Sequence, residues 1–299
     1  MADTGLPRRV GVLGASSMVG ASLLPMLNQE GWQVTAFSRH AHKRTTSAAD
    51  QVQWRQLAIG PHPTQRVADT IPLWICLAPI WALQDYFGLL ESHGARRVVV
   101  LSSTSRFTKE NSTDLTEQAL ARRLAYAEDR LGAWARDQDV LWVVLRPTLI
   151  YGRGRDRNIC EIAAIIGRIR MFPLFGKASG LRQPVHCDDV AAACRSALCA
   201  PDAANRAYNI SGAETLSYRD MVTRVFVVLG IKPRLLSIPL WSFRLAIALL
   251  RQIPRFGKWS PAMAERMAQD LVFDHADAAR DLAFSPRPFC LTLQDVQRR

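Results

Sequence analysis

The sequence predicts a doubly wound parallel α/β sheet with a smaller, mostly helical C-terminal lobe, and three observations carry that expectation. Short apolar, β-branched runs alternate with stretches of helical periodicity through the first 150 residues. A glycine turn joins the first run to the first helix, and after Pro147 the alternation breaks into short segments punctuated by glycine and proline. Parallel neighbours require crossover helices, so such alternation specifies a parallel sheet covered on both faces. At 299 residues the chain can hold two units, read here as residues 1–150 and residues 151–299, the second interleaved with the end of the sheet.

Taken in order, residues 10–13 form a first strand ending at Gly14, and residues 18–27 follow with apolar positions at helical spacing. Residues 33–37 after Gly31 read as the second strand and residues 52–57 as a weaker third. Residues 73–77 and 97–101 are compact apolar runs of the kind buried in parallel sheets, with a helical stretch at 80–92 between them. Residues 115–136 form a long amphipathic helix, and residues 140–145 the next strand. Helices are expected to dominate from Tyr218 onward.

Composition bounds the function. With 48% apolar and 21% charged residues and no low-complexity tract, the chain reads as a folded protein. The six cysteines show no metal-ligand spacing and lie largely in apolar runs, as reduced thiols of a cytoplasmic protein do, so no metal is expected. Residues 1–9 lack the apolar stretch of a secretory signal, and no run of eighteen apolar residues predicts a membrane span. The net charge of +12 is spread as single or paired arginines without aromatic interleaving, which suits an anionic small molecule and gives no reason to expect nucleic acid. Residues 239–253, apolar with Arg244 and Arg251, read as a helix packed on the protein's own core; peripheral contact with a membrane surface is the alternative.

The turn reads Gly14-Ala15-Ser16-Ser17-Met18-Val19-Gly20. A glycine at the strand end lets the backbone turn sharply, and the helix start then offers free N–H groups and a partial positive charge to a pyrophosphate. Gly20 permits close helix–sheet packing, and the segment as a whole predicts a Rossmann-type dinucleotide site. At the end of the second strand, where an NAD site places a carboxylate on the ribose, stand Ser38-Arg39-His40, with Lys43 and Arg44 nearby. Arg39 can stack on adenine and pair with a 2′-phosphate, which argues for NADP(H) over NAD(H); a solvated surface arginine is the alternative reading.

These motifs, with Leu77-Ala78, Val98 through Thr104, Leu145 through Gly152, Leu181 through Val190 and Ala207 through Gly212 in order, resemble the extended short-chain dehydrogenase/reductase superfamily. In particular they resemble its NAD-dependent epimerase/dehydratase group. The resemblance implies hydride transfer between a nicotinamide and a nucleotide-linked sugar or related anionic substrate. It further implies a tyrosine as acid/base, a lysine four residues later, a serine or threonine on the reacting oxygen, and a homodimer. It assigns the cofactor to Gly14, Ser16, Ser17, Met18, Val19, Gly20, Ser38, Arg39, Leu77, Ala78, Pro79, Ser102 and Pro147, and the substrate to Arg182 and Arg266. Thr104 occupies the serine/threonine position. Counted from Glu128, however, the tyrosine and lysine positions hold Leu120 and Leu124. Tyr126 with Arg130 offers a substitute pair, but six residues past Leu120 lies about 240° around the helix. Ser17 replaces the middle glycine of the turn, Leu149 replaces a substrate-contacting asparagine, and His186 reads as structural, with Asp189 capping the next helix. Two classes remain: a nucleotide-sugar oxidoreductase, epimerase or dehydratase, and a cofactor-binding sensor or accessory protein without that chemistry.

Overall fold

The computed structural model describes residues 8–39, 52–57, 67–239 and 266–297. Of the segments singled out above, His40, Lys43, Arg44 and residues 240–253 lie outside the described residues.

Seven parallel strands form the central sheet: β1 (Arg9–Leu13), β2 (Gln33–Ser38), β3 (Val52–Gln56), β4 (Leu73–Cys76), β5 (Arg97–Leu101), β6 (Leu141–Pro147) and β11 (Arg206–Ile210). They lie in the order β11-β6-β5-β4-β1-β2-β3, so the chain winds outward one way from β1 through β3 and the other way through β4 to β11. The point of reversal falls between β1 and β4, where the strand ends open the crevice that an α/β sheet offers to ligands.

Alternation along the strands feeds two separate cores. Val10, Val12, Val34, Ile75, Val99 and Val143 pack under α1 (Met18–Gln29) and α6 (Cys187–Cys199). Leu13, Trp74, Val98, Val100 and Val144 point the other way, under α4 (Leu115–Asp137) and residues 80–90. The buried runs of β4 and β5 thus cover both faces, and each fully buried aliphatic side chain contributes about 1.5–3 kcal/mol. Residues 80–92, expected as one helix, wind first as a 3₁₀ helix (Ile80–Tyr86) and then as α2 (Phe87–Ser92).

The second lobe has its own core, built from α5 (Asn158–Ile169), α7 (Tyr218–Val228), β8 (Phe172–Phe175) and Tyr151. Three two-stranded pairs accompany its helices: β7 (Ile150–Tyr151) with β10 (Val185–His186), β9 (Leu181–Arg182) with β12 (Leu216–Ser217), and β8 with β13 (Leu235–Ile238). Short helices α8 (Ala276–Leu282) and α9 (Leu293–Val296) follow, and α3 (Ser105–Thr108) sits just past β5. The chain crosses between the lobes repeatedly, since α6 and β11 return to the sheet after β7–β10 have left it. No described helix is long and apolar enough to cross a membrane.

Candidate dinucleotide and substrate cleft

Two glycines of the turn are fixed by space. Gly14 has φ +73°, and a Cβ there would lie 2.6 Å from the Ala78 nitrogen, where the β1 and β4 ends meet. At Gly20 a Cβ would lie 2.2 Å from the Ala15 carbonyl oxygen, because α1 starts directly against the turn. Ser17 has ordinary extended backbone (φ −67°, ψ 170°) and caps α1, its hydroxyl accepting from the Gly20 N–H at 3.1 Å. The Met18 and Val19 amides have no acceptor among the described residues, and no acidic side chain sits in the first turn. A guanidinium that the sequence did not single out joins them: Arg155 Nη2 donates to the Ser16 carbonyl at 2.8 Å. Two free amides, a helix start and a cation over a glycine-only approach suit a diphosphate, so the turn fits a dinucleotide.

Around this turn, Leu77 donates its N–H to the Leu13 carbonyl, joining the β4 and β1 ends, with Ala78 and Pro79 following. Ser38 is buried at the end of β2, and Arg39 is exposed beyond it, close enough to Tyr86 for its charge to be felt there. Burial raises the Tyr86 phenol above its ordinary range, partly offset by Arg39.

Past β5 the groups expected near the reacting carbon are heavily engaged. Ser102 Oγ donates to Glu128 at 2.5 Å, and Arg146 reaches the same carboxylate at 2.6 Å, with Arg106 as a third partner. The Thr104 amide and hydroxyl both donate to the Pro147 carbonyl, at 3.1 and 3.2 Å. On α4, Leu124 is buried in the sheet-side core and Leu120 packs against it, while Tyr126 is 60% exposed. Two residues on from Leu124 is about 200° around a helix, so α4 turns the Tyr126 ring away from the wall that Leu124 lines. Glu117, three residues before Leu120, is largely buried between Lys109 Nζ at 3.4 Å, Ser112 and Arg266. Burial, reinforced by the Arg266 charge, holds the Lys109 ammonium below its usual range.

Arg182 is buried, with its guanidinium turned onto backbone: it donates to the carbonyls of Leu181 at 2.7 Å, Gln269 at 2.6 Å and Arg266, and lies over the Tyr218 ring. It therefore staples the segment after residue 266 to the lobe, while Leu149 joins the lobe's apolar core. The start of α6 departs from expectation: His186, not Asp189, is its cap, with Nδ1 accepting from the Asp188 N–H at 3.2 Å. Asp189 lies in the first turn of the helix, three residues past the cap, and accepts from the Arg287 amide and guanidinium. His186, Cys187 and Asp188 place three metal-ligating atoms close together, but all are engaged with Ser22, Arg153 or Asp295 in the contact between the lobe and α1.

Residues 84–211 match the model of the NAD dependent epimerase/dehydratase family. The UDP-glucose 4-epimerase of Vibrio cholerae is 24% identical over 179 residues, covering 60% of this chain and 52% of that protein. The chain thus spans about half the length of this curated relative. Among solved structures, the UDP-glucuronic acid 4-epimerase of Bacillus cereus in complex with NAD superposes with a TM-score of 0.69 at 14% identity, over 96% of this chain and 95% of that one. The UDP-glucose 4-epimerase of Thermotoga maritima with UDP-glucose does so with a TM-score of 0.64 at 16% identity, covering 96% of each chain. Residues 84–211 are thus similar to the epimerase/dehydratase family, and the chain as a whole shares the fold of these epimerases. The sheet order is that of the expected doubly wound fold, and α4 carries Leu120 and Leu124 where the sequence resemblance calls for a tyrosine and a lysine.

Proposed function

We propose that the chain binds a nicotinamide dinucleotide on the turn between β1 and α1 and takes a nucleotide-sugar-like anionic substrate, in the manner of epimerases, dehydratases and related oxidoreductases. The observation that carries the reading is the turn itself: a glycine-only approach at Gly14, two free amides on α1 and Arg155 above them. The cofactor supplies hydride transfer when bound. The chain's own part is to hold its diphosphate at Met18, Val19 and Arg155, and its adenosine end beside Ser38 and Arg39. Thr104 and Ser102 stand at the mouth of β5, where the substrate's reacting oxygen belongs. Arg39 favours NADP(H) over NAD(H), since a guanidinium there pairs with a 2′-phosphate. Arg266, paired with Glu117, is the cation that an anionic substrate would draw upon.

A second reading has its own support: binding of the same cofactor without the family chemistry, as in a sensor or accessory subunit. Leucines at positions 120 and 124, the outward-facing Tyr126 and the commitment of the Thr104 hydroxyl to Pro147 favour it. Loss of a proton-transfer group costs a factor of about 10² to 10⁴ in rate. Fluorescence titration with NADPH and NADH tests the binding, with NADPH expected to be tighter; absence of binding by either overturns both readings. Turnover across UDP-, GDP- and dTDP-sugars separates the two, since cofactor binding with no turnover on any of them leaves the second.

A further inference from the structure

We propose that the end of the small lobe formed by residues 168–171 and 227–236 docks on an anionic lipid surface. β8 and β13 run parallel with Phe172 beside Leu235, and the Phe172 N–H donates to the Arg234 carbonyl at 2.9 Å. The segments entering these two strands therefore lie side by side. One follows α5 through Arg170, in the left-handed region at φ 59°, and the other follows α7 through Gly230 at φ 65°. α5 begins three residues after Arg155 and runs twelve residues, about 18 Å, which carries its C-terminal end away from the dinucleotide turn.

Charge on this end is of one sign. Arg168, Arg170, Lys232 and Arg234 are all exposed, and none has an ion pair or side-chain hydrogen bond among the described residues. The sequence has no Asp or Glu from residue 162 to 187 or from 221 to 239, so no neighbour in either segment offsets them. Between these cations stand aliphatic side chains open to water: Val227 is 67% exposed, Leu236 52%, Ile169 48% and Met171 39%. Arg168 and Arg170 also complement the dipole at the end of α5, which accounts for two of the cations but not for Lys232, Arg234 or the exposed aliphatics.

Cations alone would suit any polyanion. Four aliphatic side chains among them narrow the partner, because a nucleic-acid backbone gives them nothing, whereas the headgroup and acyl boundary of a bilayer receives both kinds at once. Each cation near an anionic leaflet strengthens partitioning about fivefold, and inserted aliphatic side chains add a part that salt does not screen.

Co-sedimentation of the full chain with vesicles tests this. Binding is expected to vesicles of phosphatidylcholine containing about one third phosphatidylglycerol, to weaken with salt, and to be absent from phosphatidylcholine alone. The double variant Arg170→Gln/Arg234→Gln, at exposed sites that leave the fold intact by circular dichroism, is expected to lower the partition coefficient about 25-fold. Met171→Ser/Leu236→Ser is expected to weaken binding while leaving its salt dependence unchanged. The proposal is overturned if the wild type ignores the anionic vesicles or if Arg170→Gln/Arg234→Gln binds them unchanged. It is overturned equally if duplex DNA competes while Met171→Ser/Leu236→Ser binds as the wild type does, which marks a nucleic-acid surface. A concentration-dependent dimer that Met171→Ser/Leu236→Ser dissolves, with no vesicle binding, marks a self-association face and also overturns it. None of these readouts depends on the dinucleotide.

Discussion

Ser17 stands where the sequence resemblance calls for a middle glycine in the turn, and its ordinary backbone angles mean that no strain follows from the change. What changes is the supply of donors. Its hydroxyl takes the Gly20 N–H, the Met18 and Val19 amides keep no acceptor among the described residues, and the Arg155 guanidinium reaches the Ser16 carbonyl. On the proposed reading Arg155 and Arg39 meet different parts of one ligand, and titration tells them apart. Arg155→Ala is expected to weaken NADPH and NADH by the same factor, about tenfold, as suits the loss of a charge-assisted contact to a group both share. Arg39→Ala is expected to weaken NADPH by about tenfold and leave NADH unchanged, and an unaltered NADPH-to-NADH ratio would remove Arg39 from the adenosine site. Gly20→Ala tests the turn itself, since its methyl would meet the Ala15 carbonyl. No dinucleotide binding is expected from that variant in a fluorescence titration.

The helix α4 shows most directly how much could be read in advance. Its span was legible because Ala121, Leu124, Ala127, Leu131 and Trp134 recur at helical spacing, and the structure buries that face against the sheet. The Gly14 and Gly20 positions were legible for a similar reason, since strand, turn and helix follow one another within a few residues. Pairings between distant segments were not. Nothing local to Arg155 says that it folds back onto Ser16, 139 residues away, nor that Arg106 joins Arg146 on Glu128. The register of α4 carries a prediction of its own. Leu124 sits in closed apolar core, so Leu124→Lys, which places there the lysine that the sequence resemblance calls for, is expected to destabilise by at least about 2 kcal/mol in urea unfolding. An unaffected midpoint would mean that this wall opens to the cleft. Glu128 is the opposite case, a largely buried carboxylate serving Ser102 and two arginines, and Glu128→Ala is expected to cost about 3–5 kcal/mol by leaving those charges unpaired.

At the scale of the whole molecule, the two lobes are joined by carboxylates at the start of α6 and the end of the chain. Asp188 accepts from Ser22 on α1 and pairs with Arg153, while Arg287 reaches both Asp188 and Asp189. His186 lies between Asp188 at 3.4 Å and Asp295 at 3.6 Å, and Asp295 accepts in addition from the Arg153 and Thr292 amides. Burial pushes both carboxyls upward, but these partners outweigh it. Asp188 is held below the ordinary carboxylate range by Ser22, His186 and Arg153, and Asp295 well below it by His186, Thr292 and Arg153. A carboxyl with a depressed folded-state pKa stabilises the fold fully above its unfolded value, about 3.9 for aspartate, and loses that contribution as pH falls through the folded value. Stability is therefore expected to drop as pH falls below about 4, and the seam between the lobes to weaken with it. Asp295→Asn isolates the share of one group, because every other carboxylate is common to both proteins. The variant is expected to be less stable than the wild type at neutral pH, and the gap to close as acid protonates Asp295. Thermal unfolding of the two proteins across that range measures the difference, and a gap that stays constant down to pH about 2 would show that Asp295 holds the seam by its shape and hydrogen bonds alone.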